Sequence, residues 1–176
     1  MTIAFEFSRP IRLDQIGTQP RTIDLVASAE ECAALATRFG LLSIGALSAQ
    51  FVVVQGADGI AASGWVRGDV AQACVATAEP VPAHIDEAVA LRFVPEPQTA
   101  EDEMELDEGE IDTLFYSGGA IDLGEAAAET LALALDPFPR SESAVQALKE
   151  AGVLSEEEAG PFAALAALKG RMNPPQ

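Results

Sequence analysis

Basic residues are scarce in this chain. Ten Lys and Arg stand against 28 Asp and Glu, a formal net charge of −18 over 176 residues. Binding to a phosphate backbone gains its favourable term from clustered cations that neutralise phosphates and release counterions, so this composition argues against charge-driven attachment to RNA or DNA. Cysteine is almost absent. Cys32 and Cys74 lie far apart and neither belongs to a C-x-x-C pair, which leaves a zinc site or a redox motif without support. His84 is the single histidine. It makes only a weak catalytic set with Cys74 or Asp86, because no nucleophile motif surrounds Cys74 and no glycine-rich oxyanion or phosphate loop is visible. The expectation is a protein that is not an enzyme and holds neither cofactor nor metal. Long apolar runs are missing too: none approaches transmembrane length. The opening MTIAFEFSRP has no basic start followed by an apolar core of signal-peptide length. A cytoplasmic protein with reduced thiols is expected, in contact with neither membrane nor DNA.

What is present is acid, and it is concentrated. Between Arg92 and Arg140 there is no Lys or Arg, while thirteen Asp and Glu fall in that interval. Residues 96–112 carry most of them, and dense like charge with little apolar content cannot offset the entropy of ordering, so an acidic loop is expected there. One account makes it a solubilising insertion. The other makes Glu101, Asp102, Glu103, Glu105, Asp107, Glu108 and Glu110 a docking surface for a Lys- and Arg-rich partner, because concentrated negative potential speeds and selects encounter. The spacing of an EF-hand calcium loop is absent.

At 176 residues the chain suits one domain with an appendage, burying roughly 70 per cent of its unfolded surface. The stretch Ile121 to Arg140 organises it. Asp122 and Glu125 have capping-box spacing, Leu123, Ala127, Leu131 and Leu135 form one apolar stripe, and Glu125 and Glu129 fall on another face. Pro137 and Pro139 are expected to stop this helix. A second capping box, Ser28 with Glu31, opens a helix through Phe39 that Gly40 closes, with Cys32, Leu35, Ala36 and Phe39 on its apolar side.

The remaining pattern is mostly extended. Thr2 to Asp14 alternates and reads as a strand; Pro10 suits an edge, and Arg9 falls on the apolar side, where it must snorkel, meet a carboxylate or face a partner. Thr22 to Val26 is a short extended piece. Leu41 to Gln55 and Ile60 to Ala73 read as a hairpin around Asp58-Gly59, with Gly64 and Gly68 marking bends or a bulge. Cys74 to Pro82 forms a turn bearing Thr77 and Glu79. A strand after His84 uses Ile85, Val89, Leu91 and Phe93, and Leu114 to Tyr116 returns as another. Beyond Arg140, a short helix in Ser141 to Val153 precedes a helix from Pro161 with Phe162, Leu165 and Leu168 on one side, which either packs back or binds a partner.

Four stretches together resemble the YceD family of large-ribosomal-RNA-subunit accumulation proteins: FSRPIRLDQI near the start, GDVAQACVATAEPV from Gly68, IDLGE with LALALDPFPR after an acidic run, and PFAALAALKG from Pro161. They span most of the chain in the family's order. The resemblance implies a role in ribosomal RNA accumulation and large-subunit assembly, with no catalytic residues to carry over, and it marks the turn of Thr77 and Glu79 as a candidate contact surface. Many family members have a second cysteine shortly after the position of Cys74. This chain does not, which argues further against a metal.

The expected architecture is α+β: a curved, mainly antiparallel sheet or partly open barrel covered by two main helices. The body occupies residues 1–140, with the acidic loop at 96–112, and a partly mobile helical tail occupies 141–176. The expected partner is a basic ribosomal protein or large-subunit assembly factor, contacted through the seven acids of the loop, Arg9, Thr77, Glu79, Phe162 and Leu165, with ribosomal RNA reached indirectly. Direct RNA binding through Arg9, Arg12, Arg21 and Arg67 is the competing class, and a small hydrolase the third.

Overall fold

A computed structural model describes residues 6–96 and 112–152. Strands β1 (Pro10–Arg12), β2 (Arg21–Val26), β3 (Ser43–Gly56), β4 (Gly59–Ala73), β5 (Pro80–Pro95), β6 (Asp112–Tyr116) and β7 (Ala120–Asp122) alternate with helices α1 (Ala29–Phe39), α2 (Leu123–Leu133) and α3 (Ala144–Glu150). The class is α+β. Five strands form one sheet in the order β2-β3-β4-β5-β6, and β1 pairs with β7 in a separate two-stranded sheet. β3 runs antiparallel to both β2 and β4, whereas β6 lies parallel to β5 with Leu91 opposite Asp112. The main sheet is therefore mixed, and it is not closed. No helix among the described residues is long and apolar enough to cross a membrane.

The described residues fall into two compact units. One takes those of Met1–Gln72 and Pro82–Pro137, and the other those of Ala73–Val81 and Phe138–Gln176. In the first unit, period-2 alternation places Ala49, Phe51 and Val53 of β3, Ile60, Ala62, Val66 and Val70 of β4, and Ile85, Val89, Leu91 and Phe93 of β5 in one core. Leu35 and Cys32 of α1, and Leu123, Ala127 and Leu131 of α2, complete it. Each fully buried leucine contributes about 1.5 to 3 kcal/mol, so the two helices are held chiefly by this apolar contact.

The start of α1 follows the sequence closely. Ser28 accepts from the Glu31 N–H, Glu31 accepts from the Ser28 N–H, and Gly40 closes the helix at φ 66° in the left-handed region that glycine tolerates. The α2 start is different from the expected reciprocal box. Asp122 Oδ1 accepts from the N–H groups of Gly124 and Glu125 at 3.0 and 3.1 Å, but the Glu125 side chain does not return to the cap. It is buried, and both its oxygens accept from Arg38 of α1, at 2.9 and 2.5 Å. A free carboxylate there would carry a large desolvation cost, so a pairing 87 residues away in sequence overrides the local motif. The end of α2 also differs: the helix stops at Leu133, and Leu135, beyond it, is half-buried. The ring of Pro137 would meet the carbonyl of the residue four places earlier, which is Leu133.

The opening strand is shorter than the alternation suggests. Only Pro10–Arg12 pair, and residues 13–15 make a single tight turn. The segment before β1 is tied instead by side chains: Ser8 Oγ donates to Asp122 Oδ2 at 2.5 Å, the Arg9 N–H donates to Asp122 Oδ1 at 2.8 Å, and Leu123 N–H donates to the Arg9 carbonyl at 3.2 Å. Gly124 makes this close approach feasible, since a Cβ there would clash with the Phe7 carbonyl. Gly64 and Gly68 do not mark bulges. They stay in regular register opposite Phe51 and Leu47, and the one register shift in this hairpin lies between Ile44 and Ala46. Their smallness serves packing: a Cβ on Gly68 would come within 2.6 Å of the Leu131 side chain.

Two outcomes follow from this lacing. Gly124→Ala is expected to destabilise the protein by about 1 to 3 kcal/mol through overpacking against backbone, read by denaturant unfolding. Arg9 Nη1 and Nη2 donate to the two Glu31 oxygens at 2.7 and 2.9 Å, and with the Ser28 cap they hold the Glu31 carboxyl down at about 2, against 4.5 ordinarily. The folded value is depressed, so the stabilisation is complete above pH 4.5 and is lost as pH falls toward 2. Glu31→Gln should cost about 2 kcal/mol near pH 7 and much less at pH 2 to 3, in unfolding measured across that range.

Candidate functional site

The turn that carries Thr77 and Glu79 connects β4 to β5. Cys74 N–H donates to the Glu79 carbonyl at 2.8 Å and Ala78 N–H to the Cys74 carbonyl at 2.9 Å, and Ala78 sits at φ 59°, a left-handed conformation costly for a residue with a Cβ. The segment after α2 lies along this turn. Val75 N–H donates to the Pro139 carbonyl at 2.9 Å, which delivers Ser141 and Ser143 to the same place.

Five side chains meet there. The Ser141 N–H and hydroxyl donate to Cys74 Sγ at 3.3 and 3.4 Å. Thr77 Oγ1 donates to Glu79 Oε2 at 3.1 Å, and the Ser143 hydroxyl makes a short bond to the same oxygen. Ser141 Oγ stands 3.0 Å from both Thr77 Oγ1 and Ser143 Oγ. Each hydroxyl has one proton, so three protons serve two acceptors, a sulfur and a carboxylate. These donors favour the charged form of each. Ser141 first, then Thr77 and the Ala76 N–H, draw the Cys74 thiol down from 9.0 to about 6 against the opposing cost of its burial. Ser143, Ser141 and Thr77 lower the Glu79 carboxyl. The result is a cluster of three hydroxyls, a cage that favours the charged forms of one thiol and one carboxylate. Cys32, by contrast, is a core thiol that burial pushes up.

The cage has limited chemistry. Glu79 and Cys74 are its only strong metal donors, and no group of three His, Cys, Asp or Glu able to hold an ion occurs among the described residues. His84 lies within β5 rather than before it and is exposed, and its Nδ1 is 2.7 Å from Asp69 Oδ1 on the neighbouring strand. Asp86 takes Arg67, at 3.0 Å.

Of the residues singled out from sequence, Thr77 and Glu79 come together. Arg9 stands elsewhere, clamped by Glu31 and 4.6 Å from the Phe7 ring. Arg12 bonds Asp14 at 3.0 and 2.6 Å, and Arg67 stacks 4.4 Å from the Trp65 ring while bonding Asp86. Arg21 is exposed. Glu101, Asp102, Glu103, Glu105, Asp107, Glu108 and Glu110, with Phe162 and Leu165, lie outside the described residues. Ser141 and Ser143 were missed by the sequence reading. Their spacing after Pro139-Arg140 looks like an ordinary helix entry, and only the return of the chain to Cys74 gives them a role.

These features define an acidic α+β protein with a partly exposed polar knot around a buried cysteine and no assembled metal or base-nucleophile set among the described residues. A family model described as large ribosomal RNA subunit accumulation protein YceD matches residues 62–169. The chain belongs to the YceD family. No curated protein and no solved structure matches it.

The cage makes a measurable claim. With Cys32 replaced by Ala, the thiolate ultraviolet absorbance of Cys74 should rise with a midpoint of about 6, and Ser141→Ala should move that midpoint up toward 9.0. An unchanged midpoint in Ser141→Ala would contradict the hydrogen-bond account.

Proposed function

We propose that this protein is a non-catalytic factor of large-subunit assembly that works in the cytoplasm. It supports accumulation of large-subunit ribosomal RNA by holding a basic ribosomal protein or assembly factor, and RNA is reached through that partner. The process rests on one observation, the family match over residues 62–169.

The mode of action is argued from charge. A direct RNA face would need free cations, yet Arg9, Arg12 and Arg67 each engage a carboxylate within 3.0 Å. Freeing them would cost the hydrogen bonds they already make, offsetting much of what phosphate contact returns. The seven acids from Glu101 to Glu110 have no Lys or Arg among them in sequence. Such a field attracts cationic polypeptide and repels polynucleotide.

Reversal of Glu101, Asp102, Glu103, Glu105, Asp107, Glu108 and Glu110 to Lys should abolish capture of basic ribosomal proteins in a pulldown at low salt. Wild-type capture should weaken at high salt. Large-subunit RNA fragments alone should show no gel shift with the purified protein. A tight shift at ordinary ionic strength would favour the arginine-face alternative, and unchanged capture by the reversed chain would reject the acidic mechanism.

A further inference from the structure

Within the first unit, a groove of about 560 Å³ opens between α2 and the β5-β6 pair. Its apolar lining comes from Val89, Leu91, Leu114, Ala126 and Leu133. Leu133, at the end of α2, is 84 per cent exposed and borders the groove. Three carboxylates, Glu87, Asp112 and Glu129, also line the groove, and no Lys, Arg or His does. The C-terminus of α2 adds the negative end of the helix dipole at Ala134, and its last turn carries no basic residue to balance it.

We propose that this groove receives one amphipathic basic segment of the protein partner, with leucine-like side chains seated beside Leu133 and Lys or Arg meeting Glu87, Asp112 and Glu129. The proposal rests on the basic-partner reading above and gives that partner a second, apolar point of contact. Charge complementarity selects the occupant: three carboxylates and a helix C-terminus repel an acidic peptide or a nucleic acid, while a purely polar cation leaves the apolar lining wet. The volume lies within the roughly 300 to 1,000 Å³ of enclosed ligand sites, enough for a few side chains of a docked helix. Glu129 supports this. It makes no hydrogen bond or ion pair among the described residues, and burial, with Glu125 nearby, raises its carboxyl above the ordinary value. The cation that opposes this shift, Arg38, already bonds Glu125 and Glu6.

The test uses the full chain and a fluorescent synthetic helix with Leu along one face and Lys on the other, read by anisotropy. Two control peptides replace Lys by Glu or Leu by Ser. Leu133→Glu and Glu87→Lys alter exposed side chains, and equal unfolding midpoints would establish that both fold. Each is expected to weaken binding of the Leu/Lys peptide at least tenfold, with both control peptides binding more weakly still. Chains with Asn and Gln at the seven acids between 101 and 110 should retain groove binding to within about threefold. Wild-type affinity in both groove variants, or equal binding of the Lys/Ser peptide, would overturn the groove. If the 101–110 variant alone loses the peptide, the basic-partner reading stands and the groove proposal falls.

Discussion

Three charge-assisted links hold the ends of the first unit together, and the rest of its architecture depends on them. Asp122 caps α2 and also holds Ser8 and Arg9; Arg9 clamps Glu31, which caps α1; Arg38 at the end of α1 binds Glu125 in the first turn of α2. Asp122 and Glu31 each serve two purposes, capping the start of a helix and joining it to another segment, while Glu125 joins the two helices directly. The apolar core supplies most of the energy, but apolar contact is non-directional. These bonds fix which helix turn meets which, and that relation positions α2 over the sheet and opens the groove beside β6.

The same links explain how the molecule uses its few cations. Four of its arginines are committed to carboxylates of the fold: Arg9, Arg12, Arg38 and Arg67. Scarcity of base and internal pairing thus act in one direction: these four cations are spent inside the fold.

Legibility in the sequence followed the range of the interaction. The whole of α1 was readable, because Ser28, Glu31 and Gly40 act within a turn of themselves. The β3-β4 hairpin was readable from Asp58-Gly59 and its alternation. At α2 the cap was visible but Glu125 was misplaced, since its partner Arg38 belongs to another helix. Gly64 and Gly68 looked like bulge residues, although their reason is a neighbouring carbonyl and a leucine across the core. The parallel pairing of β6 had no local signal. Within the candidate site, Thr77 and Glu79 could be found as a turn, whereas Ser141 and Ser143 depend on where a distant segment lands. The fold class was therefore recoverable from local patterns, and the cage only in half.

The pairing of β1 with β7 has an implication for synthesis on the ribosome. Ser8 and Asp122 are 114 residues apart, and chain growth is vectorial. The hairpin of β3 and β4 needs only neighbouring sequence and is available early, while the first strand waits, partnerless, until the polypeptide has been extended past β7. Closure of that small ribbon is then a late event that reports a finished body, and a nascent chain arrested before residue 120 would leave Phe7 and Ile11 without their resting place.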